Sequence, residues 1–273
     1  MFSVKTLLPA AVAAMVSTAA FGADLPMPQP VYQQPVVAEP CCASAWYLRG
    51  EVGVGIMNRA NLIYEPAPAN VGNLFQFQHW SVDDTAIFGV GVGYEFNNWF
   101  RADVTGEYRT KAAVNAFGVT IGPTTFGDAY TGSIRSVVVL ANGYIDLGTW
   151  NCLTPFVGAG VGVAFNQLAD FVDTGFAASG GAGIGTNPTE THLAWALHAG
   201  ISYAVTQNFT VELAYRYLNY GSITDTVHCL ASCSADSFKW DNLSSNDLML
   251  GVRWRFPPAT GIVVPPPAIS TRG

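Results

Sequence analysis

Charge is scarce in this chain, and positive charge most of all. Its 273 residues hold 12 Lys and Arg against 19 Asp and Glu, and only 11% are charged, where an ordinary soluble domain carries about 25%. No basic run or patch exists, which excludes nucleic acid as a partner. Histidine is limited to His79, His192, His198 and His228, little material for a His-dependent active site. The five cysteines, Cys41, Cys42, Cys152, Cys229 and Cys233, form no matched CxxC pairs, so a zinc site is not expected. Neither metal nor cofactor is expected. After residue 23 no run of 18 apolar residues occurs, and a spanning helix needs ~20. A helical membrane span is therefore excluded, although half of the residues are hydrophobic.

The N-terminus explains where so apolar a chain goes. Residues 1–23 read as a cleaved secretory signal: Lys5 is the positive region, Leu7 to Phe21 the apolar region, and Ala20-Phe21-Gly22 the small-residue cleavage site. Losing Lys5 takes the formal charge from −7 to −8. An exported, apolar chain without a spanning helix has few folds open to it, and a closed barrel in a membrane is one. Residues 24–45 and 257–273 are Pro-rich and read as extended periplasmic segments.

What the chain does have is alternation. Eight segments, at about 46–57, 84–96, 99–110, 132–146, 154–166, 191–205, 209–220 and 245–256, alternate apolar and polar residues, the period of a sheet with two unlike faces. The gaps after the second, fourth and sixth segments are short, and the other four are long. That rhythm predicts an all-β fold: an eight-stranded antiparallel up-and-down transmembrane β-barrel over residues 46–256, with short periplasmic turns and long extracellular loops. A soluble sandwich is the competing fold. With the first strand starting in the periplasm, however, Trp46, Phe96, Trp99, Phe100, Phe156, Tyr203, Phe209, Trp254 and Phe256 gather at one rim. An aromatic girdle at a lipid boundary accounts for that and a sandwich does not.

The polar faces would line the lumen. They carry Arg49, Arg101, Arg109, Arg216, Arg253 and Arg255 against Glu51, Glu95, Asp103, Glu107, Glu212 and Asp247, six of each sign, with Asn142 inward. Eight strands leave only enough room for side chains, and buried charges must pair. The expectation is a mutually neutralising plug; the alternative is a narrow path for ions or small solutes.

Topology also sorts the cysteines. Cys41, Cys42 and Cys152 fall at the periplasmic end, Cys229 and Cys233 at the outer end, so the candidate disulfides are Cys229–Cys233 and Cys152 with Cys41 or Cys42. Catalysis finds little support. His192 and His198 share the lumen face with Ser202, and His79 with Asp83-Asp84 reads as solvated loop. The Gly-rich stretch 175–188 lacks the Lys-Ser/Thr of a phosphate loop and reads as a flexible outer loop. The first long loop holds Tyr64, Phe75, Phe77, His79 and Trp80, an aromatic set that would mark a binding surface for a host molecule, a small ligand or haem if exposed. It would otherwise fold over the mouth or extend the first two strands.

The ending Leu248–Phe256, with Leu248, Leu250, Val252, Trp254 and Phe256 alternating, resembles the last-strand assembly signal of outer-membrane proteins. Asn142–Gly148 with Thr154–Phe165, and Trp46–Gly55, are similar to strands of small eight-stranded barrels, the opacity-type and outer-membrane immunogenic proteins of alphaproteobacteria. The resemblance covers residues 46–256 and implies the cell outer membrane, with lipid, lipopolysaccharide and the barrel-assembly machinery as partners. For activity it implies little; the paired lumen charges and the scattered histidines lead instead to the expectation of a monomer or weak oligomer that is structural and surface-exposed, not enzymatic. A 17-residue tail after Phe256 departs from the family pattern.

Overall fold

The computed structural model describes residues 44–66, 74–122, 125–176, 181–230 and 236–256. The signal at 1–23, most of the segment 24–45, the tail 257–273 and Cys41, Cys42 and Cys233 lie outside the described residues.

Alternating residues produce thirteen strands among the described residues: β1 (Ala45–Met57), β2 (Asn61–Glu65), β3 (Leu74–Val82), β4 (Thr85–Glu95), β5 (Phe100–Ile121), β6 (Phe126–Asp146), β7 (Leu153–Phe176), β8 (Ala182–Gly185), β9 (Thr189–Ala204), β10 (Phe209–Asn219), β11 (Ile223–Cys229), β12 (Asp236–Asp241) and β13 (Ser244–Arg255). Eight of them form a closed antiparallel ring in the order β1, β4, β5, β6, β7, β9, β10, β13. The pairing of β1 with β13, from Tyr47 opposite Arg255 to Met57 opposite Ser245, closes it. Closure leaves the ring without an edge, so its backbone polar groups are satisfied internally.

Side-chain chemistry makes the short turns. Asn97 Oδ1 accepts from the amides of Trp99 and Phe100 between β4 and β5. Thr206 Oγ1 accepts from Asn208 and Phe209 between β9 and β10. Such side-chain turns substitute for the ladder where the chain reverses. The turn between β6 and β7 places Gly148, Asn151 and Cys152 at positive φ, and Cys152 is exposed there.

The long loops are a second storey of the same barrel, which the sequence reading truncated. Beyond the ring, the pairing order continues as β3, β5, β6, β7, β8, β11, β12, β2, with no pairing of β2 to β3 among the described residues. The strands expected to end near 110, to begin near 132 and to end near 166 run on to 121, back to 126 and on to 176. Part of the Gly-rich stretch expected to be loop, Ala182–Gly185, is strand β8. Cross-strand partners rather than local composition hold these pieces extended, which is why periodicity alone missed them. Register shifts at Arg109/Ala112 and Thr131/Ser133 mark the junction, and a third at Phe77/His79 lies higher, opposite Phe117 and Gly118. Bulges of this kind bend strands at barrel rims.

On the outer wall, Lys111 pairs with Asp170 at 2.9 Å and Arg135 hydrogen-bonds Gln167. These polar groups stand about eleven residues from the aromatic rim, the length a tilted strand needs to cross a bilayer. The rim keeps Trp46, Phe96, Trp99, Tyr203, Trp254 and Phe256 exposed, and adds Trp150. Phe156 is a correction. It is buried against Tyr144, because its parity along β7 turns it into the lumen.

The upper storey has its own core, in which Tyr130, Phe171, Phe238 and Trp240 are buried together with Leu168, Leu218 and Leu243. Trp240 is 2% exposed and meets the Phe171 ring edge-on at 5.1 Å. Trp240→Ala should cost about 3–5 kcal/mol. The expected signature is faster hydrogen exchange and proteolysis of the outer hairpins, while the folded, heat-modifiable gel band persists.

Candidate functional site: a charge-filled lumen beneath an aromatic core

Inward parity brings the predicted charges together in the lower storey, in two clusters. In the outer one, Arg109 holds Asp247 with two parallel contacts of 2.9 and 3.0 Å and also meets Glu107 at 3.3 Å. Arg216 reaches Glu107 at 2.6 Å and Asp247 at 2.7 Å. Ser245 Oγ accepts from Arg109 and donates to Asp247, both at 2.7 Å. Two guanidinium groups and two carboxylates thus close on each other, the fork geometry that gives the strongest such pairs.

The inner cluster is looser. Arg49 meets Glu51 at 2.9 Å, Asp103 at 3.3 Å and the Tyr144 hydroxyl at 2.9 Å. Glu212 sits 3.4 Å from Arg101 and 3.6 Å from Arg49 and Arg253, and neither of its oxygens has hydrogen-bond geometry. Arg101 is covered by the rings of Tyr144 and Phe156, at 4.2 and 4.7 Å. Towards the periplasm, Glu95 meets Arg253 at 3.4 Å and Arg255 at 3.0 Å.

All twelve predicted charges belong to this network, and the six-and-six tally gains a seventh carboxylate, since Asp146 pairs with Arg101 at 3.3 Å. Asp146 and Tyr144 follow Asn142 at period two on β6, a signal present once Asn142 is set inward. Asn142 bridges Asp103, Thr105 and His198. Glycine makes this possible: a Cβ on Gly158 or Gly160 would collide with Tyr144 or Asn142.

A model of the outer membrane protein beta-barrel domain matches residues 43–256. The chain belongs to that family. This outer-membrane barrel is 31% identical over 226 residues to an uncharacterized protein of Brucella abortus, covering 74% of this chain and 76% of the relative. It is 27% identical over 217 residues to a putative adhesin of Rickettsia prowazekii, covering 78% and 89%. The crystal structure of the outer membrane protein OprG from Pseudomonas aeruginosa superposes with a TM-score of 0.51 at 12% identity, covering 80% of this chain and 98% of that one. The likeness to OprG concerns the fold alone.

In the outer-membrane barrel the first-loop aromatics do not form the exposed surface considered from sequence. Tyr64, Phe75, Phe77 and Trp80 pack against the upper core, because β2 and β3 extend the barrel wall and turn these alternate residues inward. Trp80 Nε1 donates to the Ala60 carbonyl at 2.8 Å, and Arg59 lies over its ring at 3.9 Å. His79 alone of the five is exposed. His192 pairs with Glu190 at 2.9 Å, His198 contacts Asn142, and Ser202 donates to the Thr154 carbonyl. These contacts separate the three rather than gather them. Leu248, Leu250, Val252, Trp254 and Phe256 all face outward. Of the candidate disulfides, Cys152 and the backbone of Cys229 are described, but a partner of each is not.

Above the core, inward positions of β6, β7 and β12 bring Asp128, Asp173 and Asp236 into one another's fields. These lie outside the membrane, beyond the polar belt. Burial, then the charge of Asp236, pushes Asp128 up to about 6. Burial, then Asp128 and Asp236, pushes Asp173 up to about 7. Asp173 Oδ1 is buried without a hydrogen-bond partner.

Two tests follow from this geometry. Asp247→Ala strands Arg109 and Arg216, and should lower stability by about 3–5 kcal/mol, read as the urea midpoint of the refolded barrel. For the acidic group, a raised pKa means the folded state keeps protons that the unfolded chain releases from pH ~4 upward. The stabilisation is complete below ~4 and is lost as pH rises through about 7. Asp173→Asn should therefore flatten the pH dependence between 4 and 7 and gain about 1 kcal/mol at pH 7.5, discounted for solvent screening.

Proposed function

We propose that this outer-membrane protein is a structural, surface-exposed barrel with a closed lumen, which contributes to envelope integrity and presents its upper storey outside the cell. The supporting observation is that the lumen is filled twice. Paired charges occupy the membrane storey, with Arg101, Ser245 and Asp247 at 0% exposure, and the core around Trp240 occupies the upper one. A conducting path would have to break both fillings. Breaking the charged one alone strands ions at several kcal/mol each. The reading is non-enzymatic, with lipid and lipopolysaccharide around the wall and the assembly machinery engaging the last strand through Leu248 to Phe256.

A second reading, host or ligand binding, draws support from the Rickettsia prowazekii relative, whose name is putative adhesin. The inward packing of Tyr64, Phe75, Phe77 and Trp80 moves such a surface away from the first-loop aromatics. Haem ligation by His79 keeps only that exposed histidine in its favour.

Planar-bilayer recording tests the main reading. The refolded protein should show no steady single-channel steps, and Arg109→Ala with Arg216→Ala should not open it while the upper core stands. Steady steps in the unaltered protein that vanish in this double variant would establish the ion path instead.

A further inference from the structure

The wall of the upper storey is two-faced. Where β3, β5, β6, β7 and β8 run side by side, Leu74, Phe117, Ile121, Val172, Phe176 and Ile184 point outward, each between 37% and 54% exposed. Register makes them contiguous: Leu74 stands opposite Ile121, Gly127 opposite Phe176, and Val172 opposite Ile184. The rings of Phe117 and Phe176 meet at 6.4 Å. Gly127 lies beneath them, where a Cβ would come within 2.8 Å of the Phe117 ring. The wall made by β11 and β12 is polar, with Thr224, Thr226, Ser237, Lys239 and Asp241 at the positions alternating with buried ones.

Lipid tails do not reach this apolar face. The Lys111–Asp170 pair and the Arg135–Gln167 contact lie between it and the membrane band. Phe117 is six residues past Lys111, roughly 15 Å higher for a tilted strand. Together the six side chains offer on the order of 500 Å² of apolar surface, at the upper end of what a monomer leaves in water.

We propose that this face is an interface with a second copy of the same chain. Area is the first argument: on the order of 500 Å² of apolar surface supplies more than half of the ~800 Å² per partner of a standard interface. Charge is the second. Outside the lumen network the outer half carries only Arg59, Lys111, Arg135 and Lys239 against ten carboxylates. That field repels polyanionic sugars. The six apolar positions carry no carboxylate; at the lower rim Asp170 is paired with Lys111, and Asp83 and Asp84 are exposed at the end of β3, so the centres of two such faces meet without like-charge opposition. Third, two copies seated by the same aromatic rim share depth and orientation. A twofold axis along the membrane normal then lays the patch on itself, the commonest oligomer symmetry.

The experiment uses the full-length protein in its native outer membrane and, after purification, in nanodiscs. A photo-crosslinker at 117 (Phe117→p-benzoylphenylalanine) should yield a band of twice the chain mass, and the same residue at Thr226 on β11, across the ring from β5, should not. Phe117→Ser with Ile184→Ser should weaken dimerisation at least tenfold by sedimentation, with the folded gel band retained. If that double variant fails to fold, the crosslink at 117 decides alone. The proposal is overturned if the residue at 117 crosslinks to lipopolysaccharide or another protein instead, if the protein stays monomeric at every concentration, or if the folded double variant dimerises as tightly as the parent.

Discussion

Hydrocarbon offers no hydrogen bonds to a peptide group, and the rest of this molecule descends from that fact. Every amide in the membrane must find a carbonyl on a neighbouring strand, so the sheet must close. Closure here is made by β1 against β13, with eleven residues in register. Eight strands closed in this way enclose a lumen about one layer of side chains wide. Whatever points inward is buried, and if charged it must be paired.

The two storeys solve that filling problem differently. In the membrane, where the outer wall must be apolar, the chain places its charges inward. Arg109 and Arg216 grip Asp247 and Glu107, while three arginines surround Glu212 at 3.4 to 3.6 Å. Above the membrane the wall is free to be polar, and the interior becomes aromatic, with Tyr130, Phe171, Phe238 and Trp240 in contact. The charged cluster fixes register and geometry through directional pairs, and the aromatic one adds ordinary hydrophobic stability. The wall that stays apolar above the belt fits neither rule, which is why it calls for a partner.

Residue by residue, most of the network in the membrane is legible in the sequence. Alternation on β5 assigns Arg101, Asp103, Glu107 and Arg109 to one face, and β13 does the same for Asp247, Arg253 and Arg255. Asp146 ends its strand beside a turn, where alternation no longer tells the two faces apart. Phe156 lies at rim height, but its parity along β7 sets it in the lumen rather than in the girdle. The first-loop aromatics were the larger difference. Asn61–Trp80 is compatible by sequence with an exposed surface, a cover over the mouth or an extension of the first two strands, and only the partners of β2 and β3, supplied by β12 and β5, decide for the extension.

By itself the sequence determined the ring: the number of strands, their direction, the faces of the clearly alternating ones, and twelve of the charges that fill the lumen. Local period two is enough for those, because a strand's faces follow from its own residues and the bilayer sets its length. Only the tertiary structure decided the upper storey, its aromatic core and its one apolar wall. Short strands such as Ala182–Gly185 have no period long enough to announce themselves. They exist because a neighbour's ladder reaches them, and contact across the chain is invisible to alternation within it.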